Sequence, residues 1–295
     1  MISLEKVTKE YGSTKAVEDL SFNAPEGGIF GLIGPNGAGK TTTIRMIMNI
    51  IEPDQGSILF DGEPLVEKDK DRIGYLPEER GIYKKSKVND LLIYLGRLKG
   101  RSDDFLQNNI DLWLDRFQLS RWKDSKIEEL SKGMTQKIQF IASVVHDPDI
   151  LILDEPFSGL DPVSTDLLRE SIARIAKSGK TILFSTHIME QAERICNQIV
   201  LLNKGKAVVN GPLNKIKDEF GTRSVVVDFT GDGSFIKNLP QVEKVIEYPQ
   251  YIEIALKDGA DTDELLKQLI QYVSIRRFEI VAPSLHNIFV SLIKE

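Results

Sequence analysis

One octapeptide sets the strongest limit on what this chain folds into. Residues 34–41 read Gly-Pro-Asn-Gly-Ala-Gly-Lys-Thr, the pattern G-x-x-x-x-G-K-[ST] of a loop that cradles phosphate. Gly34, Gly37 and Gly39 let the backbone curl and approach phosphate oxygens closely. The amide N–H groups of Pro35's neighbours Asn36, Gly37, Ala38 and Gly39 form an anion-binding nest. The loop opens a helix, expected over residues 41–51, whose N-terminal dipole favours negative charge. Lys40 reaches toward β- and γ-phosphates, Thr41 supplies a hydroxyl for Mg²⁺, and Thr42 follows it in the first turn. The apolar run at 28–33 reads as the strand entering the loop. A strand, this loop and a helix commit that part of the chain to an α/β arrangement around a nucleotide phosphate.

With 295 residues there is room for one large domain and a small one. Net charge is −6, so no basic surplus points to nucleic acid as a partner. The single cysteine, Cys196, excludes an internal disulfide and fits a reducing cytoplasm; in RICNQIVLL it reads as a small buried hydrophobe. The first residues, MISLEKVTKEYG, lack the apolar core of a signal peptide. No stretch approaches 18 uninterrupted apolar residues. Work at a membrane therefore calls for another chain to supply the span.

Periodicity predicts strands at 2–8, 17–24, 57–61, 73–76, 150–153, 181–185 and 198–202, and helices at 165–176 and 188–196. Buried apolar strands alternating with helices argue a mainly parallel sheet covered on both sides. A helical block from about 83 to 146 interrupts the alternation and reads as an inserted subdomain. After Gly211-Pro212 the character changes: strands at 224–229, 251–256 and 276–281 and helices at 262–272 and 285–293 make a small α+β unit. Gly221 and the GDG at 231–233 are turn chemistry. The division is expected at 215/216, within a 215–222 boundary zone.

The run Ile-Leu-Ile-Leu at 150–153 ends in Asp154 and Glu155. A buried strand that delivers carboxylates at its C-terminal edge puts them where the ligands of such a sheet sit. Asp154 is expected in the Mg²⁺ shell beside Thr41, and Glu155 beside the attacking water. His187 follows another apolar strand, TILFS, and its position predicts a hydrogen bond near the γ-phosphate. His146 and His286 lack such a context and read as structural.

Between these motifs, residues 130–134 read Leu-Ser-Lys-Gly-Met. The segment resembles the LSGGQ signature of the ATP-binding cassette (ABC) ATPases, and the other cassette motifs stand in order over about residues 1–212. Tyr11 matches the aromatic that stacks on adenine. Ser158 to Asp161 match the D-loop, and His187 matches the switch histidine. The resemblance implies a P-loop NTPase core with antiparallel β and helical subdomains, and ATP and Mg²⁺ as cofactors. It implies ATP hydrolysis at composite sites, in which Ser131 and the backbone near Gly133 of one cassette, with Asp161 nearby, act on the nucleotide held by another. The partner is then a second copy or a paired cassette. Two departures stand out: Glu78 occupies the place of the usual glutamine, and Lys132 and Met134 replace signature residues.

The form LPEERGIY with LSKGM and the ending SLHNIFVSLIKE resemble a bacterial subgroup of sodium- or drug-exporter ATPases. That implies a separate, ABC-2-like membrane permease, contacted near residues 79–100 with Glu79 to Tyr83 foremost, and a cytoplasmic protein held at the inner face of the membrane only through it. Soluble cassettes that act on ribosomes or DNA are the competing class; the single cassette and the absence of sustained heptads count against them. The C-terminal unit reads as a dimerisation or packing domain, with ligand sensing as the alternative.

Overall fold

The computed structural model describes residues 1–78, 81–220, 224–257, 259–281 and 284–294. The chain divides into two compact units, Met1–Pro212 and Leu213–Glu295. The division precedes the expected 215/216 because helix α7, which opens the second unit, runs unbroken from Leu213 to Phe220.

The first unit begins with strands β1 (Ile2–Tyr11), β2 (Thr14–Ala24) and β3 (Gly28–Ile33), then helix α1 (Lys40–Ile47). Strands β4 (Gln55–Phe60), β5 (Glu63–Pro64) and β6 (Ile73–Leu76) follow, then helices α2 (Val88–Leu98), α3 (Asp103–Arg116) and α4 (Lys132–Val144). The remainder is β7 (Ile150–Asp154), α5 (Pro162–Lys177), β8 (Thr181–Thr186), α6 (Met189–Ile195), β9 (Gln198–Asn203) and β10 (Lys206–Pro212). Among the described residues these strands form two sheets, an antiparallel one in the order β2-β1-β4-β5 and a larger one in the order β10-β9-β3-β8-β7-β6. In the larger sheet β9, β3, β8, β7 and β6 run parallel. β10 joins β9 antiparallel through the turn at Lys204 and Gly205, both at positive φ.

The continuous apolar runs of the parallel strands have a direct cause. Successive side chains point to opposite faces, and here both faces are covered. Phe30, Leu32, Ile152, Leu183 and Val200 join one cluster with Ile44, Met46 and Ile47 of α1 and with Ile2, Leu4 and Phe22 of the antiparallel sheet. Their alternates Ile33, Leu151, Leu153, Phe184 and Leu201 are buried as well. Full burial of each α1 side chain contributes about 1.5–3 kcal/mol, which fixes the helix that follows the phosphate loop. α1 is shorter than its expected 41–51; Asn49, at φ 50°, turns the chain away.

The helical block between β6 and β7 has its own core. Trp113 of α3 packs edge-on against Phe140 of α4 at 5.9 Å, with Phe117 beside both. Ser102 caps α3 and Ser131 caps α4, each accepting an N–H three residues on. Such caps satisfy donors that a helix start leaves open.

The second unit is α7, β11 (Ser224–Thr230), β12 (Val242–Glu247), β13 (Ile252–Leu256), α8 (Thr262–Tyr272), β14 (Ser274–Val281) and α9 (Leu285–Lys294). Its strands form an antiparallel sheet in the order β12-β13-β11-β14. Val225, Val227, Ile254 and Leu256 pack with Leu265 and Leu269 of α8. Periodicity missed β10, β12 and α7; β12 is a short strand with charged residues interleaved, and β10 ends in Asn-Gly-Pro. Gly221 lies outside the described residues.

Candidate functional site

β3, β7 and β8 deliver their C-terminal ends to one place, because they are parallel neighbours in register. Ile33 lies opposite Thr186, and Asp154 opposite Ser185. The loop after β3 carries Lys40, the end of β7 carries Asp154 and Glu155, and the end of β8 carries Ser185 to His187.

The phosphate loop is built around conformations that only glycine takes easily. Gly39, at φ 102°, caps α1, and a Cβ there would lie 2.4 Å from the carbonyl oxygen of Ala16. Gly34 would meet Leu202 O at 2.3 Å. Ala38 is buried, and its N–H donates to Pro35 O at 3.1 Å. Gly34, Pro35 and Ala38 thus shape the loop, while Asn36, Gly37, Gly39, Lys40, Thr41 and Thr42 line a cleft of about 650 Å³. Tyr11, Glu78 and Glu155 line the same cleft, together with Thr14, Lys15, Ala16 and Lys204.

Lys40 is 7% exposed. Its Nζ donates to Gly34 O at 2.8 Å and Pro35 O at 3.3 Å, and lies 3.8 Å from Glu155 Oε1. Burial pushes the Lys40 pKa down, against the pull of Glu155 and Asp154. Asp154 is fully buried. Ser185 Oγ donates to its Oδ1, and Thr41 Oγ1 to its Oδ2 at 3.3 Å. Burial, helped by the charges of Glu78 and Glu155, pushes its pKa up in spite of those bonds.

Glu155 sits at φ 48°, a conformation that a non-glycine residue adopts at a cost of order 1–3 kcal/mol. The bend is held by its N–H on Ser185 O at 3.1 Å. Its Oε1 accepts the backbone N–H of His187 at 2.8 Å and stands 2.8 Å from His187 Nδ1. A carboxylate only accepts, so Nδ1 carries the proton in that contact. Oε2 accepts from Thr186 Oγ1 at 3.3 Å. His187, expected near the γ-phosphate, is therefore joined first to Glu155.

The structure brings together Lys40, Thr41, Asp154, Glu155 and His187, with Tyr11 and Glu78 on the cleft wall. Ser131, Gly133 and Asp161 are elsewhere. Ser131 Oγ accepts from Met134 N at 3.2 Å. Asp161 spends its carboxylate on Ser164, from N–H at 2.9 Å and Oγ at 2.6 Å, as the N-cap of α5. Sequence reasoning missed Ser185 and Thr186, which hold the two carboxylates; the readable signal was a hydroxyl pair ending an apolar strand. Lys15 and Lys204 of the cleft wall carried no signal in the sequence.

A phosphate-bearing ligand fits this donor set. Gly39 offers no capping side chain, so the first-turn N–H groups of α1 remain available to an anion, beside a buried ammonium. Among the described residues no cluster of three or more His, Cys, Asp or Glu forms a metal cage. A cation that keeps several waters and binds through one carboxylate and a nucleotide's phosphates suits Thr41 and Asp154.

Gly81 and Ile82 line a second, apolar groove of about 360 Å³ with Met48, Leu76, Leu95 and Leu98. Tyr83 is 63% exposed and meets Tyr94 edge-on at 6.4 Å. Glu79 and Arg80, the rest of the expected partner contact, lie outside the described residues. Cys196 is buried, and burial pushes its thiol pKa up. Among the described residues no helix is long and apolar enough to cross a membrane.

Comparison with known proteins gives the family. Residues 17–158 match the ABC transporter family. The ABC transporter ATP-binding protein YhaQ of Bacillus subtilis (strain 168) is 44% identical over 98% of this chain and 97% of its own length. Nod factor export ATP-binding protein I of Paraburkholderia xenovorans (strain LB400) is 38% identical over 75% of this chain and 74% of its own. A solved ATP-binding subunit of an ABC transporter superposes with a TM-score of 0.70 at 32% identity, covering 75% of this chain and 93% of that one. The chain belongs to the ABC transporter ATP-binding proteins, whose cassette binds and hydrolyses ATP. Within that family it carries, over residues 211–293, a match to the ATP-binding protein DrrA1-3-like, C-terminal domain.

Proposed function

We propose that this chain is the ATPase subunit of an exporter and drives a separate, ABC-2-like membrane permease by ATP-dependent pairing of two cassettes. One observation carries the pairing. The cleft gathers Lys40, Thr41, Glu78 and Glu155, whereas Ser131 caps a helix outside it. A helix N-terminus with its cap and free N–H groups suits the phosphate held by a second copy. The name of the Nod factor export relative supports an exporter; the sodium or drug type rests on the resemblance carried by LPEERGIY, LSKGM and SLHNIFVSLIKE.

In this reading Tyr11 stacks on the base, and Lys40 with the N–H groups of the loop holds the β- and γ-phosphates. Thr41 and Asp154 hold Mg²⁺, with Glu78 beside them; the ion's chemistry is to polarise the phosphoryl oxygens. Glu155 orients a water and takes its proton. His187 keeps Glu155 aimed, and Ser131, Gly133 and Asp161 act across the pair. The unit ending at Pro212 is the cassette and the unit from Leu213 an accessory domain. The chain sits on the cytoplasmic face of the membrane through the permease, and nucleic acid has no part.

The test is sedimentation with ATP and Mg²⁺, next to ATP turnover. Glu155→Gln is expected to dimerise with ATP and to hydrolyse it slowly; Lys40→Ala is expected to do neither. A Lys40→Ala chain that dimerised with ATP would sink the composite site. Co-purification with the permease should fail when Ile82 and Tyr83 become Asp; undiminished co-purification would remove that contact.

A further inference from the structure

The C-terminal sheet ends on β14, a strand whose sequence is complementary to itself. One side of β14 pairs with β11, from Ser274 opposite Thr230 to Val281 opposite Ser224. Among the described residues no strand pairs with its other side. An edge that leaves N–H and C=O groups open is a template for another strand unless its side chains prevent it. On β14, beside Arg276, Arg277 and Glu279 are of opposite sign and two residues apart, so these two share a face. Arg277 Nε donates to Glu279 Oε2 at 2.9 Å within the strand, and both residues are exposed. Ile280, on the same strand, is 55% exposed.

When two identical strands pair antiparallel, the residue on the two-fold axis sets the register. With Phe278 on the axis, Arg277 faces Glu279 of the second copy, and Glu279 faces its Arg277. Both are favourable cross-strand pairs. Centring on Arg277 sets arginine against arginine, and centring on Glu279 sets glutamate against glutamate. The ladder with β11 steps from Arg277 opposite Asp228 to Ile275 opposite Phe229. That bulge at Arg276 ends the regular run, so the shared ladder is short and the association weak.

We propose that β14 is a self-docking edge, through which two copies of this chain join their C-terminal sheets antiparallel about Phe278 without nucleotide. The interface is isologous, the same patch on both copies. It does not depend on the ATP-driven pairing of cassettes.

Sedimentation velocity of the full chain, free of nucleotide and at low salt, tests it. A dimer that grows with concentration and weakens in high salt is expected. Arg277→Glu and Glu279→Arg each set like charges opposite one another at both positions. Each is expected to weaken the dimer by about tenfold or more. The double exchange, R277E with E279R, restores the opposite pairs and the dimer. An equimolar mixture of the two single variants restores it as a heterodimer, which misfolding of either chain cannot imitate. A monomer at every concentration, single variants that pair like the parent, or a mixture that stays monomeric overturns the proposal. ATP-driven pairing is read separately, as the additional association that ATP brings to Glu155→Gln, so either idea can fail alone.

Discussion

Asp154 is a fully buried carboxylate with a raised pKa, and that sets a sign. A carboxyl whose folded pKa exceeds its unfolded value stabilises most when protonated, and the contribution is lost as pH rises through the folded value. At neutral pH its charge therefore costs stability, a cost kept because the site needs the charge. In the nucleotide-free chain at pH 7, Asp154→Asn is expected to raise Tm by about 2–4 °C and to abolish ATP turnover. The gain should shrink as pH falls toward the range where Asp154 itself is protonated. Differential scanning calorimetry across pH checks this; a lower Tm at pH 7 would refute it. Glu155→Gln keeps the shape of the carboxyl and removes the proton acceptor. Its ATP turnover should drop by roughly 10²–10⁴ with equilibrium ATP binding retained.

At the scale of elements, α4 carries two separate tests. Ser131 caps its N-terminus by accepting from Met134 N. Loss of a cap costs about 1 kcal/mol, so Ser131→Ala should lower Tm only slightly. If Ser131 acts on the nucleotide of a second copy, ATP turnover should fall roughly tenfold or more while ATP binding by the monomer stays unchanged. Equal turnover would reduce Ser131 to a cap. Beyond the other end of α4 lies His146, 2% exposed. Burial first, then the charge of Lys99, brings its pKa down to about 4, against a bond to the backbone of Ile73. The unfolded chain binds this proton more readily, so stability falls as pH drops from about 6.5 to about 4. His146→Gln should flatten the pH dependence of unfolding in that window, and an unchanged slope would assign the acid sensitivity to other groups. Read from sequence, His146 was only a structural histidine; the pH response depends on walls that its neighbours in the chain do not supply.

For the whole molecule, the two units fall apart at a single peptide, between Pro212 and Leu213, and each has a hydrophobic cluster of its own. A chain ending at Pro212 is expected to unfold cooperatively and to bind ATP; circular dichroism and a fluorescent nucleotide check both. Failure to fold would make the C-terminal unit part of the cassette's stability. The parallel strands of the first unit were legible because burial on both faces writes an unbroken apolar run, as at 150–153. β10, β12 and α7 were not. In β12, Glu243 and Lys244 interrupt the apolar residues, and the strand is held by its ladder with β13 more than by its own pattern.

The sequence by itself determined the phosphate loop, the acidic pair at the end of β7 and the change of character near residue 212. Each of these is a local demand: backbone that must bend at glycine, a buried strand that must end in charge, a glycine-proline pair that ends one strand before a helix begins. Tertiary structure alone decided what those groups touch. It set Glu155 against His187 and Thr186, Asp154 against Ser185 and Thr41, and Lys40 on the carbonyls of its own loop. It also left Ser131 outside the cleft. The contacts of Asp154 and Glu155 follow from parallel register across β3, β8 and β7, which joins residues 31 to 113 positions apart, and spacing along the chain carries no record of that register.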